Sequence, residues 1–167
     1  SEMIDFYKEL SDSEHESVFF ILTQTERTSI EPQIPERLKK KIIIDFAKPE
    51  NVADFLNIAN IGIFFIKPCF SKIASCPTKF GEYLACGLPV IINKGIGDTE
   101  AIVRDNRIGI VVEEFTAEGY RKGIVQLKEL LKEGDGLRRR CRSAAERYFS
   151  LKEGGDRYNE VYTRLIK

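Results

Sequence analysis

The chain has no tryptophan, and histidine and methionine occur once each, at His15 and Met3. His15 sits in the polar stretch 11–17, which reads as a solvated turn, so no Ser/His/Asp or Cys/His catalytic apparatus can be assembled. Cys69, Cys76, Cys86 and Cys141 include no CxxC pair, and none lies near His15. That excludes the common zinc ligand sets, and no metal site is expected. Cys86 and Cys141 fall in helical patterns and nothing marks a secretory context, so the expectation is four reduced, mostly buried thiols. Surplus charge is also missing. Lys+Arg and Asp+Glu both number 26, the net charge is zero, and no nucleic-acid partner is expected. The apolar run 61–66 falls far short of the roughly 20 residues of a membrane-spanning helix. Residues 3–10 are acidic and amphipathic rather than basic then apolar, so no leader is expected there. Neither GxGxxG nor GxxxxGK[ST] occurs, which argues against a nicotinamide dehydrogenase or a P-loop kinase.

What is present is a globular mixture, 43% hydrophobic and 31% charged, in 167 residues. That suits one domain with a single core, expected to be cytoplasmic. Short β-branched or aromatic runs at 18–23, 41–46, 61–66, 89–93 and 109–113 read as five strands, apolar on both faces. Helical patterns at 3–10, 34–39, 51–60, 80–86, 99–106, 117–132, 137–149 and 156–166 separate and follow them, with a turn at 150–155. Thr116 is placed to cap the helix from 117, and Gly87 to end the one from 80. Tyr158, Val161, Tyr162 and Leu165 make an apolar stripe on the last helix. Arg138, Arg139, Arg140 and Arg142 read as a solvated face. The alternation predicts an α/β fold, a doubly wound, Rossmann-like parallel sheet with helices on both faces, over residues 1–167.

Ligands of such sheets bind beyond the carboxyl ends of the strands. Two turns there stand out. The connection 67–79 is long for a strand-to-helix loop. It delivers Thr78 and Lys79 to the start of a helix whose free N–H groups attract phosphate, with Glu82 one turn on, placed to accept from a ribose or sugar diol. A plain helix cap at Thr78 and a first-turn acid at Glu82 fit the same spacing. The second turn is 93–100, where Gly95 and Gly97 let backbone approach a ligand and Asp98 or Thr99 can cap the next helix.

Residues 77–91, Pro77-Thr78-Lys79-Phe80-Gly81-Glu82-Tyr83-Leu84-Ala85-Cys86-Gly87-Leu88-Pro89-Val90-Ile91, resemble the E-A-M-A-x-G-x-P-V-I helix and strand of family 4 retaining glycosyltransferases of the GT-B architecture. Residues 57–63, 97–103 and 108–112 resemble that family's flanking A-D-I-G, G-x-x-E-I-V and x-G-x-L-V segments, and 148–150 and 161–165 its closing helices. The resemblance implies the C-terminal, donor-binding half of such an enzyme. A UDP-sugar or GDP-sugar would lie on Thr78, Lys79, Phe80, Gly81 and Glu82, with Glu82 on the ribose and Gly97 and Asp98 nearby. No cofactor is implied. The reaction would be hexosyl transfer with retention, to a glycan or lipid-linked acceptor held by an N-terminal domain outside this chain. Polysaccharide or lipopolysaccharide assembly, with peripheral membrane contact by the parent enzyme, is the implied setting.

The sequence departs from the family at two points. A second glutamate commonly stands eight positions before the one matched by Glu82, and Ala74 occupies that place here. Sugar contact then shifts to Ser71, Ser75 or backbone, and no catalytic residue is assigned. Five strands are legible where six are usual, and the absent one is the first, central in the order 3-2-1-4-5-6. Upstream residues, another chain or direct closure of the neighbouring strands is expected to fill that place. A UDP-sugar 2-epimerase-like enzyme and a non-catalytic nucleotide-sugar-binding module are the alternatives.

Overall fold

A computed structural model describes residues 1–166; Lys167, the end of the expected domain, lies outside the described residues. Helix α1 (Glu2–Ser13) leads into strand β1 (Phe19–Leu22). The short α2 (Arg27–Ile30) and two 3₁₀ turns, Glu31–Gln33 and Glu36–Leu38, stand where a helix over 34–39 was expected. Pro35 explains the difference: it has no N–H to continue a ladder, and it restricts Ile34 to extended backbone. Then follow β2 (Ile42–Asp45), α3 (Val52–Asn57), β3 (Gly62–Phe64), α4 (Thr78–Ala85), β4 (Val90–Asn93), α5 (Thr99–Asn106) and β5 (Gly109–Val112). Three helices close the chain: α6 (Ala117–Leu131), α7 (Asp135–Phe149) and α8 (Leu151–Leu165).

The α/β alternation is as expected, and every strand pair is parallel. The single five-stranded sheet is not. β1 pairs with β2, Phe19 opposite Ile42, as one sheet. β3, β4 and β5 form a second, with Ile63, Ile91 and Ile110 in register. Direct closure of β1 on β3 therefore does not occur. Instead, α1 spans both sheets. Its Phe6 packs with Ile91, Ile110 and Tyr120, while Ile4 and Tyr7 pack with Leu38 and Ile42.

Period-two alternation decides which side each residue of the larger sheet faces. Val90, Ile92 and Val111 join Phe80 and Leu84 of α4, Val103 of α5, and Leu137 and Cys141 of α7. Ile91, Ile110 and Val112 meet α1 and α6 on the other face. β4 is buried throughout, as a central strand covered on both sides must be, whereas all four residues of β1 are only half-buried.

Four further expectations change. The turn over 150–155 is helical: Ser150 caps α8 by accepting from the Glu153 N–H at 3.5 Å, and this start overrides the Gly154-Gly155 pair. The apolar stripe of α8 finds no partner among the described residues; the helix buries nothing, and Leu151 is 91% and Leu165 75% exposed. The thiols are not mostly buried, because Cys69 and Cys76 lie on the exposed loop before α4 and Cys141 alone is buried. The arginines of α7 do more than meet solvent. Arg142 donates to Ala85 C=O at 2.9 Å, at the carboxyl end of α4, and Arg140 to Arg107 C=O at 3.0 Å, just past α5, where cations meet unpaired carbonyls.

Candidate functional site

Three segments converge at the carboxyl edge of the larger sheet: the loop 65–77, the start of α4 and the turn 94–98. A side chain that the sequence did not single out, Asn93 at the end of β4, anchors the first of them. Its Oδ1 accepts from Ile66 N–H at 2.8 Å, and its Nδ2 donates to Ile66 C=O and Lys94 C=O, both at 2.9 Å. The signal was present in the sequence, as a polar residue closing an all-apolar strand just before a glycine turn.

Beyond Ile66 the loop is exposed from Lys67 to Ala74 and turns through a 3₁₀ segment, Phe70–Lys72. Ser71 Oγ lies 3.3 Å from Cys69 Sγ, and Ser71 C=O accepts from Ser75 Oγ at 3.2 Å. The Ser71 hydrogen bond, helped by Lys72, holds the Cys69 thiol below the usual range. The loop is pinned to the second turn by Gly97, whose N–H donates to Lys72 C=O at 3.1 Å. Gly97 has φ +45°, and a Cβ there would lie 2.2 Å from Ser75 C=O, so only glycine permits this approach. Ser71 and Gly97 are thus parts of one loop assembly. Gly97 holds the loop; its N–H is engaged within the protein.

Asp98 is exposed at the entrance of α5, and neither it nor Thr99 caps that helix; the Thr99 hydroxyl donates to Ile96 C=O at 2.6 Å. Burial first and Asp98 second push the Cys76 thiol up.

α4 starts at Thr78, and its N-cap, Pro77, offers no side-chain acceptor. The N–H groups of Thr78 and Lys79 precede the first intrahelical acceptor and carry no backbone partner. Thr78 does not cap, so its hydroxyl is free of that role. Lys79 and Glu82 are exposed, and among the described residues neither side chain enters a hydrogen bond or ion pair, nor do the side chains of Lys67, Lys72 or Asp98, although ion pairs are spread over the rest of the surface. A groove of about 560 Å³ runs between α4 and α7, lined by Thr78, Gly81, Glu82, Arg142, Glu146 and Ser150 among others.

Two residues expected at the ligand sit deeper than the motif implied. Phe80 is fully buried, edge-to-face with Phe64 and Phe149, and its N–H donates to Pro77 C=O; its side chain is core, not site. Gly81 is the contact point of α4 with α7, where a Cβ would stand 3.0 Å from the Phe149 ring. Its role is close packing beneath the groove. Among the described residues no three His, Cys, Asp or Glu side chains gather as a metal site would need.

The stretch holding this edge, residues 72–118, matches a family model described as the glucosyltransferase 3-like C-terminal domain. Solved structures extend the likeness to the fold of the whole chain. A glycosyltransferase from Rickettsia africae ESF-5 superposes with a TM-score of 0.74 over 99% of this chain, at 18% identity. The fold is one that glycosyltransferases use. WaaG, a glycosyltransferase involved in lipopolysaccharide biosynthesis, matches over 88% of the chain with a TM-score of 0.61 and 20% identity. This chain spans 44% of the Rickettsia protein's chain and 38% of that of WaaG. No curated protein matches the sequence.

Proposed function

We propose that this chain is the nucleotide-sugar donor-binding domain of a glycosyltransferase. The observation that carries the reading is the pair Lys79 and Glu82, one cation and one carboxylate three residues apart on α4, both exposed and unpaired, at the carboxyl edge of a parallel sheet. The free N–H groups of Thr78 and Lys79, the positive end of α4 and the Lys79 ammonium suit a diphosphate. Glu82 suits the ribose hydroxyls, which donate to a carboxylate. As the sugar leaves, charge builds on the departing diphosphate, and a fixed cation and helix terminus stabilise it there without reorganising.

The finer reading is a retaining, family 4 type of enzyme moving a hexosyl unit from a UDP-sugar or GDP-sugar to a glycan or lipid-linked acceptor in polysaccharide or lipopolysaccharide assembly. The acceptor would be bound by a further domain of the intact protein, outside these residues. A second reading, a nucleotide-sugar-binding module without catalysis, is favoured by one observation: Ala74, exposed on the loop, stands where the resembled family commonly carries a carboxylate.

Calorimetry with UDP, GDP and UDP-glucose on this chain tests the site. Binding of one nucleotide is expected, weakened about tenfold by Glu82→Ala or by Lys79→Ala, as for loss of a charge-assisted hydrogen bond. Equal affinity of both variants and the parent, or no binding at millimolar nucleotide, refutes the assignment. Turnover by the intact protein with its acceptor separates the enzyme from the module.

A further inference from the structure

The strands β2 and β5 each end a sheet, and their chemistry differs. At β5, Ile110, Val111 and Val112 are buried, and the flanking charges are satisfied within the protein. Arg107 pairs with Glu133 at 3.1 Å, and Glu113 with Arg104 and with Lys94. At β2, Ile43 is 49% exposed. Lys41, just before the strand, and Asp45, at its end, bracket three isoleucines and enter no ion pair among the described residues, although nearby Lys39 is paired with Glu36. Asp45 Oδ1 accepts only from its neighbour, the Phe46 N–H, at 2.8 Å.

Backbone parity leaves the outer edge of β2 open. Phe19 N–H donates to Lys41 C=O at 2.9 Å and Thr23 N–H to Asp45 C=O at 3.0 Å, so the odd-numbered residues turn their backbone groups to β1. Ile42 and Ile44 turn theirs to the other side, where no hydrogen-bonding partner stands among the described residues. Side chains alternate by the same parity. Ile42 and Ile44 join the cluster of Ile4 and Tyr7 beneath α1, whereas Lys41, Ile43 and Asp45 share the opposite face. An apolar edge of this kind pairs with another strand unless charge opposes it.

We propose that the outer edge of β2 pairs antiparallel with β2 of a second copy of this chain, about a two-fold axis at Ile43. In that register Ile42 of each copy exchanges both backbone hydrogen bonds with Ile44 of the other, which satisfies the outward groups of both edges. Ile43 then meets Ile43 of the second copy, and Lys41 meets Asp45 of the second copy on either side of the axis. These are non-hydrogen-bonded pairs, in which facing side chains lie closest. Charge selects both the occupant and its direction. A parallel pairing in register sets Lys41 against Lys41 and Asp45 against Asp45, and an antiparallel register displaced by two residues leaves Lys41 opposite Ile43 or Ala47. Only the antiparallel pairing centred on Ile43 opposes Lys41 to Asp45. Such an isologous contact closes at two copies. Because the joined strands run in opposite directions, the carboxyl edges of the two copies face opposite ways, and the head of α4 stays open in each. The pairing is independent of the donor-binding reading.

Sedimentation of this chain from micromolar to millimolar concentration tests the pairing, and a monomer–dimer equilibrium is expected. Ile44→Pro removes an outward N–H and no bond to β1, and should leave a monomer. Lys41→Asp and Asp45→Lys each replace two attractive pairs by two repulsive ones, so either should raise the dissociation constant about tenfold, and the double exchange should restore it. Ile43→Cys should cross-link to itself under mild oxidation, with peptide mapping to separate that bridge from Cys69 and Cys76. Amide exchange in β4 reports that each variant is folded, and if Ile44→Pro is not, the charge exchanges decide. A monomer at every concentration overturns the proposal. So does a dimer indifferent to these variants, which would be formed by another surface such as the α8 stripe.

Discussion

Asn93 Oδ1 accepts from the backbone N–H of Ile66, and Asn93 Nδ2 returns a bond to the Ile66 carbonyl, so one side-chain amide continues the β3–β4 ladder past its last backbone rung. The orientation of the amide follows from the partners. Flipped, it would set its NH₂ against an N–H and its oxygen against two carbonyls. Where the loop leaves the sheet is thereby determined by a side chain.

Asn93→Ala leaves the Ile66 pair without partners and should cost about 2 kcal/mol, the penalty for unsatisfied, partly buried backbone groups. Asn93→Asp should cost more, because it turns an acceptor toward the carbonyls of Ile66 and Lys94. Urea unfolding of the three proteins gives the order, and a parent-like Asn93→Asp would remove the amide from this role.

Gly97→Ala should displace the loop before α4. A left-handed φ costs a non-glycine residue about 1 kcal/mol, and the Ser75 carbonyl must also move out of the way. The expected signs are a Tm lower by several degrees and faster alkylation of Cys76. An unchanged Cys76 rate would show that the loop does not depend on the Gly97 contact.

The four thiols should separate by pH. Cys69, lowered by its Ser71 hydrogen bond and exposed, forms thiolate at lower pH than the others and should react first with iodoacetamide. Cys86 is pushed up by burial, and Cys141, pushed up to about 11, should stay unreactive until the protein unfolds. Ser71→Ala should move the Cys69 rate profile to higher pH. Mass-spectrometric rates at each site between pH 6 and roughly 10 provide the check.

Removal of α8 from residue 151 onward should lower Tm by no more than about 2 °C, since the helix buries no side chain. Calorimetric scans of the shortened and full chains decide it. A fall of ten degrees or so would mean that the stripe of Tyr158, Val161, Tyr162 and Leu165 is packed in solution.

The larger sheet was legible because its signals are local. The run 89–93 is apolar with β-branched residues, and both neighbouring helices carry their own start or stop signals. The helix from 117 begins at Thr116, whose hydroxyl accepts from Gly119 N–H at 3.1 Å, as its position suggests. The burial of Phe80 was not legible because a motif marks a segment and not the direction of each side chain; its place relative to α7 depends on Phe149, 69 positions away. The glycines at 154 and 155 suggested a turn, yet a capped start one turn earlier was enough to carry the helix through them.

The sequence by itself determined the α/β class, the places of the five strands along the chain, and Thr78, Lys79 and Glu82 as the residues at the head of α4, because periodicity, caps and glycine turns act over a few residues. Only the tertiary structure decided that the strands divide into two sheets under α1, that Asn93 sets the path of the loop and that Gly97 holds it against Ser75. Those outcomes depend on contacts between segments remote in sequence or on the direction of single side chains, and no local pattern records either.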